Sequence, residues 1–206
     1  PIRSVISWNS LIAGYAQQGQ GHEALNCLEK MQTDGLSPDE VTFLCVLSAC
    51  SHSALMGEAR RLFGNMERRY GISPNIEHHT CMISVLGSAG RFEEAMSVIK
   101  VIPDSDHSDL WLALLGACRK WGNVNLGSLA FDQTIQLDNT CASAYVLMAN
   151  IFAAAGMQED AERVEAMRLK YAACKEQENR LRLNAGGNVD SIYLGTHKRI
   201  LGSTVI

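Results

Sequence analysis

The side chains best suited to metal or nucleophilic chemistry in this 206-residue chain are six histidines and seven cysteines. Cys27, Cys45, Cys50, Cys81, Cys118, Cys141 and Cys174 contain no C-x-x-C pair, their number is odd, and most sit in apolar runs such as Cys45-Val46-Leu47. That usage fits small buried hydrophobes kept in a reducing compartment rather than a disulfide framework. His78 and His79 are adjacent, and neighbours on a helix point about 100° apart, so they do not chelate one ion together. A zinc nucleobase deaminase needs a His-x-Glu matched to a Cys-x-x-Cys, and the chain has no such pairing. It also lacks a Gly-x-x-x-x-Gly-Lys phosphate loop and a Gly-x-Ser-x-Gly elbow. The expectation is a non-catalytic chain with no catalytic residue, no metal ligand and no cofactor.

The elements that would have to position any binding residue are helices. The composition is 47% hydrophobic and 19% charged, with four prolines, and Ala, Leu and Met are abundant, which favours helix and a sizeable core. The net charge of −4 excludes a nucleic-acid binder that works by bulk positive charge. No apolar run reaches about 18 residues, so no segment is expected to span a membrane. The chain starts at Pro1 and is read as a fragment, with any targeting peptide lying outside it.

Internal repetition is the strongest signal. Trp8 to Tyr15, Phe43 to Cys50, Trp111 to Cys118 and Tyr145 to Phe152 each open on an aromatic and close seven places later on a bulky or sulfur-bearing residue, and His79 to Leu86 is a fifth copy. A turn residue follows each at the same offset: Gly19, Ala54, Gly90, Gly122 and Gly156, at steps of 35, 36, 32 and 34. Five places further on comes a small residue, Ala24, Ala59, Ala95, Gly127 or Ala161. One apolar helix, a left-handed turn and a second helix crossing at a small residue make a hairpin that cannot bury both faces alone. The pattern predicts an all-α, right-handed solenoid of five stacked helical hairpins.

A period near 34 fits tetratricopeptide or pentatricopeptide repeats. The segment Val5-Ile6-Ser7-Trp8-Asn9-Ser10-Leu11-Ile12-Ala13-Gly14-Tyr15, closing on Gly35-Leu36-Ser37-Pro38-Asp39, closely resembles a plant pentatricopeptide repeat. Residues 40–75 resemble the long variant, 76–107 the short variant, and 108–141 and 142–175 the two E motifs that follow such arrays. This order is that of the PLS-class proteins of plant organelles. Ala54 departs from the family's usual Gly, and His107 stands where Asp or Asn is usual. Residues 176–206 resemble a diverged E+ tail without its Pro-Gly and Trp signatures. The Arg180-Leu181-Arg182-Leu183 alternation, Gly186-Gly187 and Ile192-Tyr193-Leu194 suggest a small hairpin there, or an irregular tail.

In this family the fifth and last residues of a repeat read one base per repeat. The resemblance therefore implies base reading by Asn9 with Asp39, whose amide and carboxylate can meet a base edge and orient the contact, with uracil preferred. The plainer roles, a helix N-terminal residue for Asn9 and a cap for Asp39, can coexist with reading. Leu44 with Asn75 has one polar member and implies a weak or silent reader, and Thr80 with His107 is polar but atypical. Leu112 and Val146 hold the fifth place in the E motifs and cannot hydrogen-bond a base. The basic groups Arg60-Arg61 and Arg68-Arg69 could contact phosphates or only solvate a helix. Residues 76–141 carry four Lys/Arg against eight Asp/Glu, a poor neighbour for phosphate and a usable protein-contact surface.

What the resemblance implies is sequence-specific binding of single-stranded organellar RNA and recognition of a site for C-to-U editing. The E region would hold a deaminase-bearing or accessory partner, since a deaminase domain is absent from the motifs seen. The expected compartment is the mitochondrion, with the chloroplast as the alternative. Two rival readings are a tetratricopeptide-like scaffold that binds a protein, and an RNA stability or splicing factor without editing. A peptide groove would carry clamp Lys/Arg and Asn at the positions where Asn9 and Asp39 stand.

Overall fold

The computed structural model describes residues 4–102 and 107–184, with side chains described as far as residue 173. Among these the chain forms ten helices and no strand. They are α1 (Val5–Gln17), α2 (Gly21–Thr33), α3 (Glu40–His52), α4 (Met56–Tyr70), α5 (Ile76–Ser88), α6 (Phe92–Val101), α7 (Ser108–Trp121), α8 (Val124–Leu137), α9 (Ala142–Ala154) and α10 (Gln158–Asn184). None is long and apolar enough to cross a membrane.

The turn within each hairpin is left-handed. Gly19, Gly90, Gly122 and Gly156 have φ of +68°, +74°, +63° and +77°, and Ala54 adopts the same conformation at +56°. The small residue five places on is buried in every hairpin. At Gly127 an added Cβ would lie 3.1 Å from Ile151 Cδ1, so the crossing of α8 over α9 leaves little room for a side chain.

The odd-numbered helices pack on one another in series, α1 on α3 on α5 on α7 on α9. α2, α4, α6 and α8 each pack between their own partner and the next odd helix, α10 packs on α9, and among the described residues the even helices have no backbone contact with one another. The row whose members touch is the shorter arc, so the odd helices line the concave side. This arrangement is an α-solenoid. Its core is continuous: Met82 and Val85 of α5 face the cluster built on Phe43, Leu47 and Met66, while Ile83 and Leu86 face the one built on Leu114, Leu115 and Met148. Each such fully buried side chain contributes about 1.5–3 kcal/mol.

Side chains at the end of one odd helix close the end of the previous one. His52 Nδ1 donates to the Ala16 carbonyl (2.9 Å) and Ser53 Oγ to that of Gly19 (2.8 Å). Lys120 Nζ donates to Ser88 O (2.9 Å) and Trp121 Nε1 to Gly87 O (3.0 Å). These contacts give the Gly19 and Ser88 carbonyls a partner and add a second donor at Ala16 and Gly87, whose oxygens also accept from Gly19 N–H (3.1 Å) and Gly90 N–H (2.9 Å).

One expectation is corrected. Residues 180–183 do not form a strand of a hairpin, because α10 continues without a break to Asn184. From Tyr171 to Leu183 the chain is mainly Ala, Lys, Glu, Gln, Arg and Leu with no Gly or Pro, and this helix preference outweighs a four-residue alternation. The rest of the proposed tail, 185–206, lies outside the described residues.

Candidate nucleic-acid interface

The loop that brings the chain from α2 back to α3 creates the site. Gly35, at φ +79°, ends α2, and its N–H donates to Gln32 O (3.0 Å) while Leu36 N–H donates to Met31 O (3.1 Å). This closure turns the chain so that Pro38 is buried and Asp39 becomes the N-cap of α3. Asp39 Oδ1 accepts from the Thr42 N–H (2.8 Å), and Thr42 Oγ1 accepts from the Asp39 N–H (3.1 Å), a reciprocal capping box.

Asn9 reaches this cap from α1, thirty residues earlier. Its Nδ2 donates to Asp39 Oδ1 (3.0 Å), and its Oδ1 lies 2.6 Å from Thr42 Oγ1 and accepts from it. Asn9 is only 8% exposed and Thr42 is fully buried, whereas the Asp39 residue is exposed. Burial works against the Asp39 charge, but the Thr42 N–H, the Thr42 hydroxyl and the Asn9 amide together hold its carboxyl below the usual range. The amide of Asn9 is thus oriented by two partners. It retains one N–H and one oxygen lone pair for a further ligand. Capping and presentation coexist in Asp39.

The next junction is built the same way without the amide. Asn75 caps α5, accepting at Oδ1 from His78 N–H (3.1 Å). His78 is fully buried; its Nδ1 accepts from Asn75 N–H (3.2 Å) and its Nε2 donates to the Glu40 carbonyl (3.0 Å). Leu44 supplies no polar atom there. At the third junction Thr80 and His107 are not joined by a hydrogen bond. The Thr80 hydroxyl turns back to Ile76 O (2.9 Å), and His107 caps α7 without a side-chain bond. His107 instead lines a shallow recess with Asn75, His79 and Ile102. Leu112 is half-buried and Val146 exposed at the corresponding places of α7 and α9.

The basic groups of α4 stand on the outer row. Arg60 pairs with Glu94 of α6, Arg61 donates to Glu58 (2.6 Å), Arg68 Nε donates to Gly64 O (2.9 Å) and Arg69 lies over the Tyr70 ring. They are engaged with the protein and sit away from the row that carries Asn9. The six described cysteines are free, and burial pushes Cys50, Cys81 and Cys118 up to about 11, so they hold their protons. Among the described residues no group of three or more His, Cys, Asp and Glu could hold a metal ion.

Thr42 was missed by sequence reasoning, although Asp followed three places on by Thr is a cap signature. Trp121 and Lys120, the cross-helix donors, have no local signature.

Family profiles match over most of the described chain: the PPR repeat family at residues 3–52, the PPR repeat at 41–70 and 77–106, and the E motif at 121–176. The chain belongs to the pentatricopeptide repeat family. Among Arabidopsis thaliana relatives, the pentatricopeptide repeat-containing protein At4g16470 is 40% identical over 187 residues, covering 91% of this chain and 37% of that one. The chloroplastic protein CRR2 is 42% identical over 165 residues, 80% of this chain and 25% of that one. The mitochondrial At5g40410 is 39% identical over 159 residues, 77% and 26%. The chain thus spans about a fifth to two-fifths of the relatives it matches. The solved pentatricopeptide repeat protein PPR10 in complex with an 18-nt psaJ RNA element superposes with a TM-score of 0.68 at 17% identity, covering 82% of this chain and 26% of that chain. At that identity the likeness is one of fold.

Proposed function

We propose that this pentatricopeptide segment binds single-stranded organellar RNA and reads one base at its first repeat through Asn9 and Asp39. The observation that carries the reading is the hydrogen-bonded Asn9–Asp39 pair on the concave row, with one N–H and one oxygen lone pair of the amide left unused by these two bonds. The PPR10 complex, in which a protein of this fold holds RNA, supports the choice of ligand class. At the second repeat Asn75 is committed to its cap and Leu44 is apolar, so that repeat contributes little. Thr80 and His107 act as separate polar contacts.

The E motif after the repeats supports a role in C-to-U editing. In this reading residues 108–141 and 142–175 are two E hairpins that hold a deaminase-bearing or accessory protein, and the repeats of a longer chain align the target cytidine. The location is a plant organelle, mitochondrion or chloroplast. Relatives carry both names.

The test uses the full-length protein and a pool of random single-stranded RNA, with bound molecules sequenced. The expected result is uracil enrichment at one nucleotide, moving toward purines in Asn9→Thr, because the shorter hydroxyl leaves room for a larger ring. One base contact is worth about 1–3 kcal/mol, by analogy with bidentate contacts to DNA, so relative affinity shifts roughly ten- to hundredfold at that base alone. An Asn9→Thr protein that weakens for all sequences equally refutes base reading. Sequencing of organellar transcripts in plants carrying Asn9→Thr separates editing from stability or splicing: loss of C-to-U conversion supports the first, and altered transcript ends or introns the second.

A further inference from the structure

We infer that Thr42, the third residue of the second repeat, is a positioning residue for base reading by the first. The inference rests on the reading proposed for Asn9 and Asp39. Thr42 is buried and cannot touch a ligand itself. Its hydroxyl nevertheless meets both base-reading side chains, lying 2.6 Å from Asn9 Oδ1 and 2.8 Å from Asp39 Oδ1, and it accepts from the Asp39 N–H.

This geometry determines what the groove is shown. A free Asn amide rotates about its last torsion and can present either nitrogen or oxygen toward a base. Here the hydroxyl proton of Thr42 is shared between Asn9 Oδ1 (2.6 Å) and Asp39 Oδ1 (2.8 Å), while Asp39 takes one Nδ2 proton. The oxygen end is therefore held toward α3, and the remaining N–H and lone pair keep fixed directions before any RNA arrives. Pre-set donors and acceptors bind with a smaller ordering cost and discriminate more sharply between base edges.

The later repeats provide an internal comparison. Three places into the first helix of each stand His78, Leu110 and Ala144, all buried. His78 spends its Nε2 hydrogen bond on the Glu40 backbone, and Leu110 and Ala144 have no side-chain polar atom. Only at the first junction, among the described residues, does the third residue bridge a fifth-place side chain to the preceding cap.

The experiment is the random single-stranded RNA selection with the full-length protein, comparing wild type, Asn9→Thr, Thr42→Val and Thr42→Ser, alongside thermal unfolding of each. Val preserves the shape and removes the hydroxyl; Ser restores it. Expected is a three- to tenfold flattening of the Asn9-dependent base preference in Thr42→Val, the size of one ordinary hydrogen bond, with preferences at other nucleotides unchanged and recovery in Thr42→Ser. A Thr42→Val protein that keeps the whole preference while its unfolding temperature falls makes Thr42 a cap only and overturns the inference. Should Thr42→Val not fold, Thr42→Ser decides: a folded Thr42→Ser protein that lacks the preference also overturns it. If wild type shows no preference that responds to Asn9, base reading itself falls, and the role of Thr42 falls with it.

Discussion

Ala54 carries a backbone conformation that Cβ disfavours. It sits at φ +56° where four other hairpins place glycine. The left-handed region costs a non-glycine residue about 1–2 kcal/mol, and glycine returns part of that as lost chain entropy. Ala54→Gly is therefore expected to stabilise by roughly 0.5–1 kcal/mol, read as a rise in the urea midpoint; an unchanged or lower midpoint refutes the strain. Asp39 makes a second residue-scale prediction. Its folded carboxyl titrates below the ordinary 3.8, so its hydrogen bonds stabilise the fold above that value and are lost as pH falls through the folded value. Asp39→Asn keeps a good cap and removes the titration. Its stability should fall less than wild type's between pH 5 and pH 3, measured by urea unfolding at each pH. Equal acid losses in the two proteins would show that Asp39 is not a source of the dependence.

At the scale of elements, α5 and α7 meet so closely that a Cβ on Gly87 would lie 2.4 Å from the Ala117 Cβ. Gly116, on α7, has open space around it and an ordinary helical backbone. The same substitution should thus have opposite signs. Gly87→Ala forces the helices apart and destabilises by about 1–3 kcal/mol. Gly116→Ala reduces the freedom of the unfolded chain and stabilises by about 0.5–1 kcal/mol. Chemical denaturation of both variants checks the pair, and matching signs would contradict the packing described. Gly90 adds a third case. Its φ of +74° and the Trp121 ring, 3.3 Å from an added Cβ, leave no place for a β-branched side chain. Gly90→Val should disrupt the α5–α6 hairpin, lowering helicity and the midpoint together.

The whole molecule is a chain of neighbours rather than a sphere. Among the described residues, contacts run from each hairpin to the next, and none joins the first to the last. Stability is then a sum of hairpin terms and interface terms, and unfolding need not be all-or-none. Far-UV circular dichroism should show a strongly helical protein that melts broadly. Trp8 in α1 and Trp111 and Trp121 in α7 report on different ends of the array. Gly90→Val should therefore lower the midpoint seen by Trp111, in a Trp121→Phe background, more than that seen by Trp8. Equal displacement of both probes would indicate one cooperative unit.

The repeating plan of this protein is written in its local sequence. The recurrence of an aromatic-led apolar stretch, a left-handed turn at Gly19, Ala54, Gly90, Gly122 and Gly156, and a small residue five places later is local information, since backbone preference and apolar spacing act within one hairpin. It was enough for five hairpins, an all-α solenoid and the family. It failed at Arg180–Leu183, where a short alternation competed with helix preference extending from the preceding residues. Only the tertiary structure decided which side chains meet across hairpins: Thr42 beneath Asn9, Trp121 on Gly87, Arg60 on Glu94, His78 on Glu40, and Thr80 turned away from His107. Such meetings depend on how far each helix is rotated and displaced against the next. A few degrees or an ångström decides whether a hydroxyl reaches an amide, and that displacement is set by the summed packing of both helices.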